Sequence, residues 1–490
     1  MTRTLAKHDG LYDFPSLRRG RLSGRHGPEQ VRTPLASTIG VDVLPAIPGC
    51  LFLRPGDPEY ERTLPTYNLR VAKAPQIRAL CSTQGGVAGS VNWVRGQGMR
   101  FALRSGGHSF EGHSENPQLV LDIRQLASVR FDSVSGVLHA GAGATLGAIY
   151  AALPPGLAFS AGSCPGVGIA GHTLGGGIGL LSRSFGLACD NLKSLRIVDA
   201  QGQLLDVDDD NHANLFRACR GGGGGSFGVA TAFAFKTHPV SSVTVFGINW
   251  TIVDTNTAVR LIDAWQRWAP ATDRQIMALL KISKMANNKL RLRCFGQSLG
   301  PASSLQRELA QLIAIAAPDA PPQLKRLSFQ DAVKHYAGAA QDNQLGKYYT
   351  KEKSDFAPIL TRKALTIMVT EVAALAAARV LLILTPLGGA LQDPPGNATA
   401  FPHRQANCLL HYISLWGASS TTAARLRDIR KVYAAMRPHL PGWAYVNYCD
   451  EDLPNWASAY WDRNLPRLKA VKRAYDPQDL FRFTQSIPLP

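Results

Sequence analysis

One histidine and one cysteine, each set among glycines, are the residues best placed to do chemistry. His108 sits in Arg104-Ser105-Gly106-Gly107-His108-Ser109, and Cys164 in GSCPGVGIAGHTLGGGIG, residues 162–179. A third run, Gly221 to Gly225, continues as Ser226-Phe227-Gly228-Val229. Glycine at this density serves backbone that approaches a ligand closely or adopts positive φ. No Gly-Lys-Ser/Thr follows the cysteine run, as a P-loop would require. GAGATLG, Gly141 to Gly147, lacks Rossmann spacing and a following acid. Together the three runs imply an extended polyanionic ligand threaded between backbone amides, such as a dinucleotide bound outside the Rossmann scheme. Towards the other end, Tyr445-Val446-Asn447-Tyr448 reads as a period-2 strand, with Tyr445 and Asn447 on one face and Val446 and Tyr448 on the other.

Elements that would position these residues follow from periodicity. The first 60 or so residues read as irregular, with Pro34, Pro45, Pro48, Pro55 and Pro58. Ile77 to Leu80 reads as a strand, Ser82 or Thr83 as an N-cap, and Val87, Val91 and Val94 as one helical face. Gly96-Gln97-Gly98 ends that helix, and Arg100 to Leu103 resumes a strand leading straight into the His108 run, which makes a βαβ unit. Leu119 to Leu121, Val137 to His139 and Leu195 to Val198 are further strand signals. Beyond about residue 240, alternation at Val243 to Phe246 and Lys289 to Arg293, with a helix from Asn256 to Trp268, predicts antiparallel sheet covered by helices. The predicted class is α+β (α/β). Its divisions are an irregular segment (1–69), a ligand-binding domain (70–241), a substrate domain (242–440) and a C-terminal segment (441–490).

Composition narrows the function. With 490 residues, 45% of them apolar, the chain can bury a large core in two or three domains. It lacks the run of about 18 apolar residues that a membrane span needs. The arginine pair of SLRRGRLSG, residues 16–24, precedes no apolar h-region, so no export signal is expected and the cytoplasm is the expected setting. Eight cysteines are scattered singly, without CxxC or His/Cys ligand spacing, which argues against a metal site and a disulfide framework. A charge of +18 raises nucleic acid as a partner. No zinc-finger, RNP-like or helix-turn-helix pattern accompanies it, so a solvated basic surface is expected, able to attract an anionic cofactor or substrate.

RSGGHSFEG, then GSCPGVGIAGHTLGGGIGLLSRSFGLACDNL, then GGGGGSFGVAT resemble the flavin domain of the vanillyl-alcohol-oxidase superfamily, with its PCMH-type FAD-binding fold. YVNYCDEDL and YWDRNLPRLKAVKRAYDPQDLFRFTQSIP are similar to the closing segment of berberine bridge enzyme-like and oligosaccharide oxidases. The resemblance runs from about residue 70 to the end and is faint across roughly 245–395. It implies that residues near 441–490 return to the flavin domain and that FAD is attached twice. His108 stands where the family bonds the flavin 8α-methyl carbon, and Cys164 where it bonds C6, as a thiolate. Two tethers would hold the ring without a deep cleft, leave room for a bulky substrate and raise the reduction potential. Further expected FAD contacts are Arg104, Ser105, Gly106, Gly107, Ser109, Gly162, Ser163, Gly168, Gly171, His172, Gly176, Gly228, Val229 and Asn464.

On the substrate side, the resemblance makes Tyr448 the general base, taking a hydroxyl proton while hydride passes to flavin N5. A phenol of ordinary pKa about 10 needs a cationic or hydrogen-bonding neighbour for that role. Thr385 stands where an assisting aspartate is expected, Ile383 where a sugar-binding glutamine is expected, and His411 at another polar substrate position. Tyr445 is also expected to meet substrate. Val167 falls at the position of the family's oxygen gate, where a small side chain favours an oxidase. The expected reaction is oxidation of a hydroxyl-bearing carbon, first of a saccharide C1 to a lactone, with O2 reduced to hydrogen peroxide. Alternatives are a same-family oxidase or dehydrogenase acting on an alkaloid, phenol or other natural product, and an inactive basic binding protein.

Overall fold

Val87, Val91 and Val94 are fully buried along the helix Gln84–Gln97. Thr83 Oγ1 accepts from the Gly86 amide at its start, and Gly98 at φ 62° ends it in a left-handed turn. The helix belongs to a computed structural model that describes residues 43–252, 254–337 and 345–490. The basic stretch before residue 33, and with it most of the expected irregular segment, lies outside the described residues. The strands Ile77–Cys81 and Phe101–Arg104 flank the helix in sequence and pair in parallel with Leu119–Asp122, which lies between them.

Irregular chain does not extend to residue 69. Cys50–Leu53 forms a fourth strand, antiparallel to Ile77–Cys81, with Cys50 directly opposite Cys81 and their sulfurs 2.7 Å apart. Its four residues lie between Pro48 and Pro55, too short a run for alternation to register. A cysteine pair thus arises that spacing along the chain does not reveal. A second, five-stranded antiparallel sheet carries Val137–Gly141, Val229–Lys236 and Leu192–Val198 side by side.

Ser242–Ile252 begins the third sheet, seven antiparallel strands that include Ile276–Lys284, Leu290–Ser298, Tyr349–Ala357, Leu381–Pro386 and Cys408–Trp416. Period 2 splits its residues between two faces. Leu280, Leu382, Leu384, Leu410 and Tyr412 pack with the helices Thr255–Trp268, Arg362–Ala374 and Thr422–Met436. Met277, Leu279, Ile383 and His411 turn the other way, towards the glycine loops.

Two buried cations clamp these parts together. Arg183, just beyond the Cys164 run, donates to the carbonyls of Ile276, Pro270, Leu387 and Thr272 at 2.6–2.8 Å, and burial draws its pKa down to about 10. Lys472, on the helix Leu465–Tyr475, donates to the carbonyls of Ser226 and Phe481 and to Asp476, so the C-terminal segment holds the five-glycine run.

Candidate active site

The three glycine runs converge on one cavity of about 350 Å³, facing the side of the seven-stranded sheet that carries Met277, Leu279, Ile383 and His411. Glycine serves two purposes here. A Cβ on Gly106 would collide with the Gly168 backbone, and one on Gly168 with the Gly106 backbone, so these two residues let the histidine and cysteine loops touch. At Gly171 a Cβ would meet nothing within 4 Å, because that position opens on the cavity.

Arg104, Ser105, Gly106, Gly107, His108 and Ser109 line the cavity from one loop. Gly162, Ser163, Cys164, Val167, Gly168, Gly171 and His172 line it from a second, and Gly228 and Val229 from a third. Arg104 is buried and spends its guanidinium on Glu115, at 2.5 Å, and on the Pro65 carbonyl, so it anchors its loop. Ser105 Oγ donates to the Ala142 carbonyl at 2.7 Å, tying that loop to the second sheet. His108 stacks on Tyr67 with centroids 4.7 Å apart. Burial, helped by the Arg104 charge, pulls its pKa down to about 4 and keeps the imidazole neutral. His172 is likewise drawn to about 4 by burial, and its Nε2 accepts the Gly162 amide at 3.0 Å. Cys164 is half-buried at the cavity wall.

Two expected flavin contacts lie elsewhere. Gly176, at φ +124°, packs beneath the loop, where a Cβ would press on the Phe401 ring at 3.0 Å. Asn464 is buried with its amide already engaged: Oδ1 accepts from Arg217 at 2.7 Å and Nδ2 donates to the Ala400 carbonyl at 3.1 Å. Tyr460 and Trp461, just before it, line the cavity instead.

The segment Tyr445–Tyr448 is no strand. Val446–Tyr448 forms one 3-10 turn, with the Tyr448 amide on the Tyr445 carbonyl at 2.9 Å. Residues i and i+3 eclipse in such a turn, so both tyrosines face the cavity, their centroids 5.0 Å apart, where a strand would have separated them. The Tyr445 hydroxyl accepts the Gly177 amide at 2.9 Å and the Asn447 amide at 3.0 Å, so its oxygen secures the cysteine loop. Tyr448 stacks face to face on His411 at 3.8 Å and 13°. Burial, then the proximity of Tyr445, Glu352 and Cys164, raises its pKa well above the ordinary phenol value. Thr385, Ile383 and His411 line the cavity together with Met277 and Leu279.

One group escaped the sequence reading. Glu352, 1% exposed, holds His411 Nε2 with its Oε2 at 2.5 Å. Thr350-Lys351-Glu352-Lys353-Ser354-Asp355 is polar throughout, yet every residue in it is buried.

This architecture is shared with known proteins. Residues 75–208 match a model described as an FAD binding domain, and 444–488 one described as berberine and berberine like. The uncharacterized FAD-linked oxidoreductase YgaK of Bacillus subtilis is 32% identical over 443 residues, covering 88% of this chain and 95% of its own. A monolignol oxidoreductase of Arabidopsis thaliana, AtBBE-like 13, is 32% identical over 440 residues, 80% of this chain and 79% of its own. The chain belongs to the berberine bridge enzyme-like family of FAD-linked oxidoreductases. Among solved structures, a chitooligosaccharide oxidase aligns with TM-score 0.82 at 25% identity, covering 90% of this chain and 97% of that one.

The residues of this berberine bridge enzyme-like chain fit FAD. Gly171 leaves open space, and a Cβ on Gly224 would come no nearer than 3.7 Å to a neighbour. Two cavity-lining residues, Ser114 and Trp461, bear buried polar atoms, Oγ and Nε1, with no partner among the described residues. Such atoms are costly unless a ligand or water satisfies them. Among the described residues no cluster of His, Cys, Asp or Glu could hold a metal ion, and no helix is long and apolar enough to cross a membrane.

Proposed function

We propose that this enzyme is an oxidase carrying FAD bonded to both His108 and Cys164, and that it oxidises a hydroxyl-bearing carbon on an apolar skeleton. The observation that carries the substrate class is the wall opposite the glycine loops. Met277, Leu279 and Ile383 come from the sheet, and Tyr67, Phe110, Ile178 and Leu180 from the loops. A saccharide presents hydroxyls all around its ring and needs matching donors and acceptors. On this wall Asn447 is committed to the His172 carbonyl and the Tyr445 hydroxyl, which leaves chiefly Thr385, His411 and Tyr448 for polar contacts. An aromatic or allylic alcohol of a natural product suits these surroundings better than the saccharide expected from resemblance.

The neutral His108 imidazole offers a nitrogen lone pair for attachment, and Cys164 a sulfur on the opposite loop. When bound, FAD would supply the two-electron oxidant. The chain's part is to seat the substrate carbinol beside Tyr448 and His411 and to exclude water with the apolar wall. Val167, half-buried at the cavity, leaves space for O2 as final acceptor.

A panel of benzylic and allylic alcohols set beside oligosaccharides, followed by hydrogen peroxide release, tests this reading. Peroxide from the aromatic alcohols is expected. Turnover of oligosaccharides alone would overturn the substrate class. Yellow colour should survive acid precipitation, and His108→Ala and Cys164→Ala should each leave a singly linked flavin with an altered spectrum.

A further inference from the structure

We infer that Glu352 and His411 form the proton-accepting pair of this site, with Glu352 fixing the imidazole through Nε2 and His411 receiving the substrate hydroxyl proton at Nδ1. The inference rests on the reading that a hydroxyl-bearing substrate occupies the cavity.

Strand register creates the pair. Tyr349–Ala357 and Cys408–Trp416 run antiparallel, with Ser354 opposite His411 and Glu352 opposite Ile413. Glu352 and Ser354 are two apart, so their side chains emerge on the same face as His411. Oε2 of Glu352 lies 2.5 Å from Nε2, and Oε1 accepts the Thr350 hydroxyl at 3.2 Å. Thr350 is itself held, its amide donating to Asn68 Oδ1 at 3.0 Å. Among the described residues Glu352 has no lysine or arginine partner, so His411 is the one group at its carboxylate able to carry positive charge.

A carboxylate only accepts hydrogen bonds, so the proton between the two belongs to the ring at Nε2. Nδ1 is left with its lone pair, and it has no hydrogen-bond partner among the described residues. The ring lines the cavity and is held flat against Tyr448, which fixes the direction of that lone pair. Tyr448 is the poorer acceptor, because burial and the nearby Glu352 both work against a phenolate. Thr385 supplies no carboxylate where one was expected.

The balance is simple. The substrate O–H bond breaks and its proton moves to Nδ1. FAD, when bound, would be the two-electron oxidant that takes the carbinol hydrogen with its electron pair, leaving C=O. The resulting imidazolium is stabilised by Glu352. His411 is the catalytic residue, Glu352 a positioning residue, and Tyr448 a hydrogen-bond donor to the same oxygen.

Stopped-flow reduction of the holoenzyme by the best alcohol, without oxygen, is the first test. Glu352→Gln should lower the limiting reduction rate by about 10²-fold or more, within the 10²–10⁴ range of general-base catalysis. Substrate affinity and reoxidation by O2 should stay nearly unchanged, and Glu352→Asp should restore part of the rate. A second readout needs no turnover: ¹⁵N NMR of histidine-labelled holoenzyme, with His411 assigned by its loss in His411→Gln. Wild type should show the Nε2–H tautomer, and Glu352→Gln should lose it. Wild-type reduction rates in Glu352→Gln, or an Nδ1–H tautomer in wild type, would overturn the pair. If no alcohol reduces the wild-type flavin, the alcohol-oxidase reading fails on its own, and the tautomer still decides the pair.

Discussion

The strand Tyr349–Ala357 carries two kinds of buried charge on its two faces. On one, Lys351 and Lys353 meet Asp450 at 2.6 Å each, Lys351 also meets Glu111 at 2.5 Å, and Lys353 meets Asp452 at 2.9 Å. Arg70 closes on Glu111 and Arg430 on Asp452, so opposite charges answer each other all round. On the other face Glu352 has His411, whose second nitrogen has no partner among the described residues. The first cluster joins three distant stretches of chain, the His108 loop, the sheet and the C-terminal segment. The second borders the cavity. A closed charge network holds structure, whereas a pair with one open valence can do chemistry.

Exchanging the two roles is the sharpest test. Lys351→Met should leave Glu111 with Arg70 alone and Asp450 with Lys353 alone, lowering unfolding free energy by about 1.5–3 kcal/mol in urea titration while the folded fraction reduces its flavin at the wild-type rate. His411→Gln should do the converse: reduction slowed by about 10²–10⁴-fold with the urea midpoint little moved. If Lys351→Met slows reduction as strongly, the two faces do not divide the work.

Acid should expose a second contrast. In the flavin-free chain His108, His113, His172, His238 and His403 are each pulled down to about 4, chiefly by burial. The unfolded chain, with histidines near 6.5, then binds more protons between pH 6.5 and 4, so stability is full above pH 6.5 and drains as pH falls through that window. Each histidine contributes at most about 1.4 kcal/mol per pH unit. Asp355, which burial pushes up to about 7, acts in the opposite sense but is one group against five. Urea midpoints at pH 7, 5.5 and 4.5 should decline monotonically.

Smaller effects probe the loops. Gly168→Ala, forcing a methyl into the Gly106 backbone, should cost about 1–3 kcal/mol and lower flavin incorporation, read by thermal melting and the visible spectrum. Tyr445→Phe, which strips the acceptor from the Gly177 amide, should cost about 1 kcal/mol with reduction nearly intact.

The glycine frames around His108 and Cys164 were legible because each is contiguous along the chain. Two readings went astray where local pattern was overridden. Period 2 predicts Tyr445 and Tyr448 on opposite faces, yet one 3-10 turn puts them together, since four residues cannot distinguish a strand from a turn. Asn464 is an expected flavin contact, but Arg217, 247 positions away, holds its side chain. Cys50 and Cys81 give no hint of each other until two strands pair.

By itself, the sequence determined the α+β class, the Val87-Val91-Val94 core face, the three glycine runs and the family resemblance, because periodicity and contiguous motifs are local properties. Only the tertiary structure decided that the alternating Lys351-Glu352-Lys353 is buried, with its charges divided between a structural network and the cavity. Register across strands sets that division: Glu352 acquires its meaning from His411, 59 positions away, through the pairing of two strands. Burial then turns a polar stretch into chemistry, since a carboxylate withdrawn from water must find its partner within the fold.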